Sequence, residues 1–117
     1  MTKAQKFVNK WATHQFSSEC YSGEDYLTFE RAFRTVLKDE ATKGGFSLKK
    51  FLKNHYCCSA VLIDSEGRHA YVSLPDVRPT TNFRVLYRTM QHEKDWTGGH
   101  NNYSHIEDLG ENLNRLY

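Results

Sequence analysis

Residues 55–74 read HYCCSAVLIDSEGRHAYVSL, and this stretch decides the fold. Two runs rich in β-branched and aromatic residues, His55 to Ile63 and Arg68 to Leu74, flank the short turn Ser65-Glu66-Gly67. That arrangement is typical of a β-hairpin. Pro75 ends the second strand, because proline cannot donate to the ladder. In that strand Ala70, Val72 and Leu74 share one face, and His69, Tyr71 and Ser73 share the other.

The segments on either side of the hairpin predict further strands. The run Phe46 to Lys53 fits a helix through Leu48, Phe51 and Leu52, but it also alternates as a strand. We interpret it as a strand. The run Phe83 to Met90 alternates apolar residues with Arg84 and Arg88, which predicts another strand.

Helical patterns flank this region. Thr2 to about Gln15 predicts an amphipathic helix with lysines on its solvent face. A second helix begins near Glu24, after a capping-box-like Ser22 and Asp25, and ends at Gly44-Gly45. A closing helix begins at the capping box of Ser104 and Glu107, with an apolar stripe of Ile106, Leu109, Leu113 and Leu116. The chain is thus predicted to be one α+β domain over residues 1–117, with two N-terminal helices, an antiparallel meander of about four strands and a C-terminal helix.

Composition narrows the class of protein. The 117 residues are 38% hydrophobic and carry a net charge of +2, and no apolar run is long enough to span a bilayer. These features predict a soluble protein of the cytoplasm. Three cysteines without a CxxC pair argue against disulfides and structural zinc, and no cofactor is expected. Since neighbours on a strand point to opposite faces, at most one of Cys57 and Cys58 is expected in the core.

The polar loop from Asp95 to Asn102 is the main candidate for recognition, since loops on a rigid scaffold often carry binding groups. Its segment Thr97-Gly98-Gly99 fits either a phosphate cradle or a glycine turn completed by Asn101 and Asn102, and we favour the turn because no P-loop lysine follows. His92, His100 and His105 with Asp95 would be the ligands of a small metal-dependent hydrolase, but their spacing matches no compact metal motif. No nucleophile motif such as GxSxG is present, so no catalytic residue is assigned.

Charged residues suggest two surfaces. Arg84 and Arg88 share a face of their strand and, with Asp76 and Arg78 nearby, could hold a carboxylate or phosphate. The alternative is that Asp76 or Asp95 forms structural ion pairs with these arginines.

The second surface is a lysine stripe. Lys49, Lys50 and Lys53, with Phe51, His55 and Tyr56 interleaved, have the composition of a single-strand nucleic-acid surface. Alternatively, the aromatics belong to the core and the lysines protect a sheet edge.

Several short segments together resemble a family of small uncharacterised proteins of plasmids, prophages and conjugative elements of Firmicutes. The resemblance covers roughly residues 24–117 and is most specific in Leu-Tyr-Arg-Thr at 86–89 and Asp-Trp-Thr-Gly-Gly at 95–99. The other segments are His55-Tyr56, Ser59, Tyr71-Val72-Ser73, Asp76-Val77-Arg78 and His100-Asn101-Asn102. The resemblance implies an accessory protein of a mobile element that binds a host protein or nucleic acid. This class includes inhibitors of host defence such as anti-CRISPR proteins.

The sequence therefore predicts a non-catalytic module that binds a protein partner. The residues expected to contact that partner are Asp76, Arg78, Arg84, Arg88, Asp95, Trp96 and Asn101. The alternatives are a nucleic-acid-binding protein that uses Lys49, Lys50, Lys53 and Tyr56, and the metal-dependent hydrolase.

Overall fold

The computed structural model describes residues 1–16, 23–53, 56–74 and 83–117. Helices pack on one face of an antiparallel sheet, so the α+β prediction is confirmed. The elements are α1 (Lys3–Trp11), α2 (Glu24–Lys43), β1 (Phe46–Lys53), β2 (Cys58–Asp64), β3 (His69–Leu74), β4 (Arg84–Met90), β5 (Asn102–His105), a 3-10 turn (Ile106–Asp108) and α3 (Leu109–Asn114).

The sheet is a meander in which each strand pairs with the next, in the order β1-β2-β3-β4-β5. The hairpin prediction is confirmed, since β2 pairs with β3 so that Ala60 lies opposite Val72. Phe46 to Lys53 is a strand, as expected. It lies at the edge of the sheet, and a bulge between Leu48 and Lys50 interrupts its pairing with β2.

The prediction of four strands is wrong by one, and the error comes from the segment at Ser104. We expected Ser104 to begin the closing helix, but it lies in β5 opposite Val85. Its hydroxyl donates to the carbonyl oxygen of His105 and accepts from Asn112 Nδ2, both at 2.8 Å. Pairing with β4 prevails over the local capping pattern, so the closing helix is short. Its predicted apolar stripe does enter the core.

The N-terminal helices follow their sequence signals with small shifts. Thr2 and Gln5 form a capping box at the start of α1, which ends at Trp11 rather than near Gln15. Gly23 precedes α2 without a side-chain cap, and the predicted capping residue Ser22 lies outside the described residues. In the described part of the chain, every helix is too short or too polar to cross a lipid bilayer.

The core lies between the helices and one face of the sheet. Phe7, Phe29 and Phe33 form an aromatic cluster in which the ring centroids of Phe7 and Phe29 are 5.3 Å apart. Phe83, just before β4, joins it with its ring centroid 5.1 Å from that of Phe7. Each such side chain contributes about 1.5–3 kcal/mol of transfer free energy before entropy is subtracted.

The expectation that only one of the adjacent cysteines is buried is wrong. Cys57 is 2% exposed and Cys58 is fully buried, and both contact the main core. Because β2 begins at Cys58, strand alternation does not extend to Cys57. The Tyr26 hydroxyl donates to the Cys57 carbonyl oxygen, and burial raises the pKa of the Cys58 thiol well above its ordinary value. Neither Cys57 nor Cys58 forms a disulfide with another described residue.

A buried carboxylate joins α2 to α3. Glu40, 1% exposed, accepts the backbone N–H of Gly110 at 3.0 Å through Oε1. Its Oε2 lies 2.9 Å from the ammonium of Lys43, which also lies 3.4 Å from the carboxylate of Asp39. This buried hydrogen bond anchors the start of α3, which has no side-chain cap at Asp108.

The opposite face of the sheet carries a second, smaller apolar cluster. Val61, Tyr71 and Met90 form it, with Leu52 and Leu86 packed alongside. Every described member is a strand residue, so no helix of the described chain contributes to this cluster. We call it the open face.

Candidate partner-binding pocket

A cavity of about 430 Å³ lies on the open face, beside the loop that joins β4 to β5. Strand residues form its floor, and loop residues form part of its wall. Its lining residues are Tyr56, Tyr71, Ser73, Leu86, Arg88, Trp96, Asn101 and Tyr103. We call this cavity the aromatic pocket.

Three aromatic side chains of the pocket are largely exposed to solvent. Tyr56 is 62% exposed, Tyr103 51% and Trp96 46%. Large exposed apolar side chains are ordinary when scattered, but their convergence on one concavity is typical of an interaction site. Tyr56 also has a φ of 55°, a left-handed conformation that is uncommon for an aromatic residue.

The carboxylate of Asp95 organises the loop. Its Oδ1 accepts the backbone N–H of Gly98 at 2.8 Å, and its Oδ2 accepts that of Gln91 at 3.0 Å. The hydrogen bond from Gln91 is the largest of the causes that hold the pKa of Asp95 below its ordinary value. The hydrogen bond from Gly98 and the charge of Arg88 lower it further. Asp95 thus folds the loop, and the partner contact expected of it stays a prediction.

The guanidinium of Arg88 ties β4 to the same loop. Arg88 is 4% exposed, and it donates from Nη2 to the carbonyl oxygen of Asp95 at 2.8 Å. From Nη1 it donates to the carbonyl oxygens of Thr89 and Gly98. The cation also lies 5.0 Å from the ring centroid of Tyr71. The Arg88 guanidinium therefore bonds to loop carbonyl oxygens, whereas the Asp95 carboxylate bonds to backbone N–H groups.

The two glycines of the loop have backbone explanations. Gly99 has a φ of 82°, and a Cβ there would lie 2.6 Å from the carbonyl oxygen of Thr89. A Cβ at Gly98 would lie 2.7 Å from Asp95 Oδ1. Asn102 completes the turn by donating to the carbonyl oxygen of His100 at 3.0 Å. The expected turn is confirmed at Gly99 and Asn102, whereas the closing hydrogen bond expected of Asn101 is not among the contacts of the described residues.

The folded loop places Trp96 at the mouth of the pocket. Its ring meets that of Tyr71 edge-on, with centroids 6.1 Å apart and an interplanar angle of 83°. Asn101, the other predicted contact residue on the loop, is exposed and lines the same cavity. The loop and Arg88 are thus brought together as the sequence suggested.

Arg84 lies on the same side of β4 as Arg88, at the rim of the pocket. It is exposed, and its guanidinium lies 4.5 Å from the ring centroid of Tyr103. The predicted contact residues Asp76 and Arg78 lie outside the described residues.

The lysines do not form one continuous stripe. The Lys53 ammonium lies 3.6 Å from Glu30 on α2, on the helix side of the sheet. Lys49 lies 3.2 Å from Glu93, whose pKa its ammonium lowers, and 3.1 Å from His69 Nε2. Lys50, exposed opposite Val61, faces the open side. The bulge in β1 and the two acids explain this division.

The histidine cluster is not assembled. His92 and His100 are exposed loop residues, whereas His105 lies opposite Arg84 in β5. Among the residues that the structure describes, no group of three or more His, Cys, Asp or Glu side chains is placed to hold a metal ion.

Half of the described lining residues, Tyr71, Ser73, Leu86 and Tyr103, are absent from the contact residues that the sequence predicts. Tyr71 and Ser73 share a strand face with His69, and Leu86 lies between the two arginines of β4, so strand parity was the signal available for them. Tyr103 was missed because its strand was missed.

At the floor of the pocket, the Tyr71 hydroxyl donates to Ser59 Oγ at 3.2 Å, and Ser59 donates to Ser73 Oγ at 3.0 Å.

Comparisons with protein-family models, with curated proteins and with solved structures give no significant match.

Proposed function

We propose that this protein is a non-catalytic binding module of the cytoplasm that engages a protein partner through the aromatic pocket. The convergence of exposed Tyr56, Trp96 and Tyr103 on one cavity carries the proposal. A rigid loop supports it, because Arg88 and Asp95 hold Trp96 in place before any partner arrives. A preorganised aromatic side chain loses little conformational entropy on binding.

The residue types of the pocket favour a protein over a nucleic acid. Tyr, Trp and Arg are the residues that dominate binding energy in protein interfaces, whereas Lys, Glu and Asp are depleted there. The described residues of the lining include five of the first kind and none of the second. A nucleic-acid surface needs several cations along a phosphate track, and here Lys49 and Lys53 lie beside acids on different faces.

We place the partner in the bacterial host. The support is the resemblance of the 86–89 and 95–99 segments to proteins of mobile elements, whose accessory products often act on host proteins. Inhibition of a host-defence protein is one form that this activity would take.

Affinity capture from a bacterial lysate tests the proposal. The purified protein, Trp96→Ala and Leu27→Ala serve as three baits in parallel. Leu27, 44% exposed on α2, is the matched control, because its truncation also removes an exposed apolar side chain. We expect one or more proteins to be recovered equally by the wild type and Leu27→Ala and at least tenfold less by Trp96→Ala. Equal recovery by all three baits would refute the proposal.

A further inference from the structure

No carboxylate of the described chain lies within ion-pair distance of the Arg88 guanidinium, although its charge acts on Asp95 from further away. None of the ion pairs among the described residues includes Arg88, although the side chain is 4% exposed. Asp95, the nearest acid in the loop, directs its two oxygens to the backbone N–H groups of Gln91 and Gly98. Buried cations in proteins are ordinarily paired, because desolvation of an isolated charge is costly.

The Arg88 guanidinium also has N–H donors for which the described residues supply no acceptor. Arginine carries five N–H groups, and three of those of Arg88 donate to the carbonyl oxygens of Thr89, Gly98 and Asp95. The remaining two, on Nε and Nη2, have no acceptor among the residues that the structure describes. Adjacent Nε and Nη2 donors form the fork that a carboxylate matches with two parallel hydrogen bonds.

We infer that the partner inserts an acidic side chain, Asp or Glu, whose carboxylate binds Arg88, with a neighbouring apolar side chain packed between Trp96 and Tyr103. This inference rests on the proposed function and names the chemistry of the partner. The described residues of the pocket lining include one cation, Arg88, and no acid, so an acidic segment is complementary to them in charge. Arg84, exposed at the rim over Tyr103, adds a second positive charge along the approach.

An acidic peptide fits these features better than a phosphate backbone. Four cations of the described chain face the open side, but Lys49 is paired with Glu93 and Arg88 is bonded to the loop. This leaves Lys50 on β1 and Arg84 on β4, two strands apart. Single-strand binding uses a cationic groove with successive bases stacked on aromatics. A single buried guanidinium beneath an aromatic rim instead suits one side chain and its neighbour.

Selection from a random peptide library displayed on phage tests the inference with the intact protein. Each round includes counter-selection against Trp96→Ala, so that enriched peptides depend on the pocket. Enriched peptides are then synthesised with the shared acidic residue as it stands and as its amide, Asp→Asn or Glu→Gln. The change is made in the peptide because Arg88 also holds the loop, so substitution of Arg88 would alter two properties at once.

We expect the enriched peptides to share one acidic residue next to an apolar or aromatic residue. Because hydrogen bonds between charged groups are stronger than neutral ones, the amide peptide is expected to bind about tenfold or more weakly. In a ¹⁵N NMR titration, the Nε–H signal of Arg88 should shift with the acidic peptide and stay nearly unchanged with the amide at equal occupancy. Such a shift would locate the carboxylate at Arg88 rather than at Arg84.

The other outcomes separate a failure of this inference from a failure of the proposed function. Peptides that depend on Trp96 but tolerate the amide contradict the inference and leave the proposed function standing. A library that yields no peptide above the Trp96→Ala background contradicts both. A fluorescein-labelled oligothymidylate is run in parallel, and if it alone binds in a Trp96-dependent manner, the pocket serves a nucleic acid and both claims are wrong.

Discussion

Substitution of Arg88 by methionine should destabilise the protein far more than the same substitution at Arg84. Methionine preserves an aliphatic contact with Tyr71 but removes three hydrogen bonds to the carbonyl oxygens of Thr89, Gly98 and Asp95. Hydrogen bonds to charged groups contribute about 1.5–3 kcal/mol each. Three such bonds are taken at the lower end of this range, and their sum is reduced because the freed loop carbonyls can turn toward water. We therefore expect a loss of about 3 kcal/mol in the free energy of unfolding.

Urea denaturation followed by circular dichroism measures this loss. With a slope near 2 kcal/mol/M, the midpoint of Arg88→Met should fall by about 1.5 M. Arg84→Met is the control, since it removes one exposed contact of cation and ring and should cost less than about 1 kcal/mol. Amide exchange at Gly98 should accelerate in Arg88→Met alone, since its N–H belongs to the loop that Arg88 anchors. Equal midpoints for the two variants would refute the role assigned to Arg88.

Three further measurements address other parts of the molecule. Because two backbone N–H groups bond to the ionised Asp95, carboxyl NMR should give Asp95 a pKa below 3.8. Since the folded pKa lies below the unfolded value, the contribution of Asp95 to the free energy of unfolding is present above about pH 4 and is lost as the pH falls through the folded pKa. A measured pKa above 3.8 would contradict the loop geometry. Glu40→Ala should lower the free energy of unfolding by about 2 kcal/mol, since it removes the buried acceptor of the Gly110 N–H. Asp39→Ala, the control, should lower it by less than about 0.5 kcal/mol. Equal losses of stability in urea denaturation would contradict the role assigned to Glu40. With the third cysteine replaced by serine, Cys57 and Cys58 should resist a thiol reagent in the native protein and react once it is unfolded in urea, and rapid native labelling would show that they are not buried.

The hairpin and the long helix α2 were predictable because local pattern and tertiary environment agree there. The alternation of Ala70, Val72 and Leu74 marks a face that does enter the core. The Gly44-Gly45 pair marks the C-terminus of α2. In both segments the signal lies within a few residues, so no distant contact is needed to interpret it.

The strand β5 was not predictable in the same way. Ser104 and Glu107 match a capping box, and nothing local to Asn102–His105 reveals that β4 offers an unpaired edge beside it. The burial of Cys57 was likewise missed, because it depends on where β2 begins. Contacts between distant parts of the chain decide both features.

The candidate site was predictable in its elements but not in their roles. The sequence indicated Arg88, Asp95 and Trp96 as one cluster, and the structure brings them together. It did not indicate that Arg88 and Asp95 hold the loop while Trp96 is presented to solvent. That division depends on which oxygen each donor meets, and residue types alone do not specify it.

The most direct test of the proposed function is the footprint of the captured partner on the ¹⁵N-labelled protein. We expect the largest chemical-shift changes on residues of the aromatic pocket, at Tyr71, Arg88, Trp96 and Tyr103, and we expect Trp96→Ala to abolish them. A footprint confined to α1 and α2, on the helix side of the sheet, would contradict the claim that the aromatic pocket is the binding site.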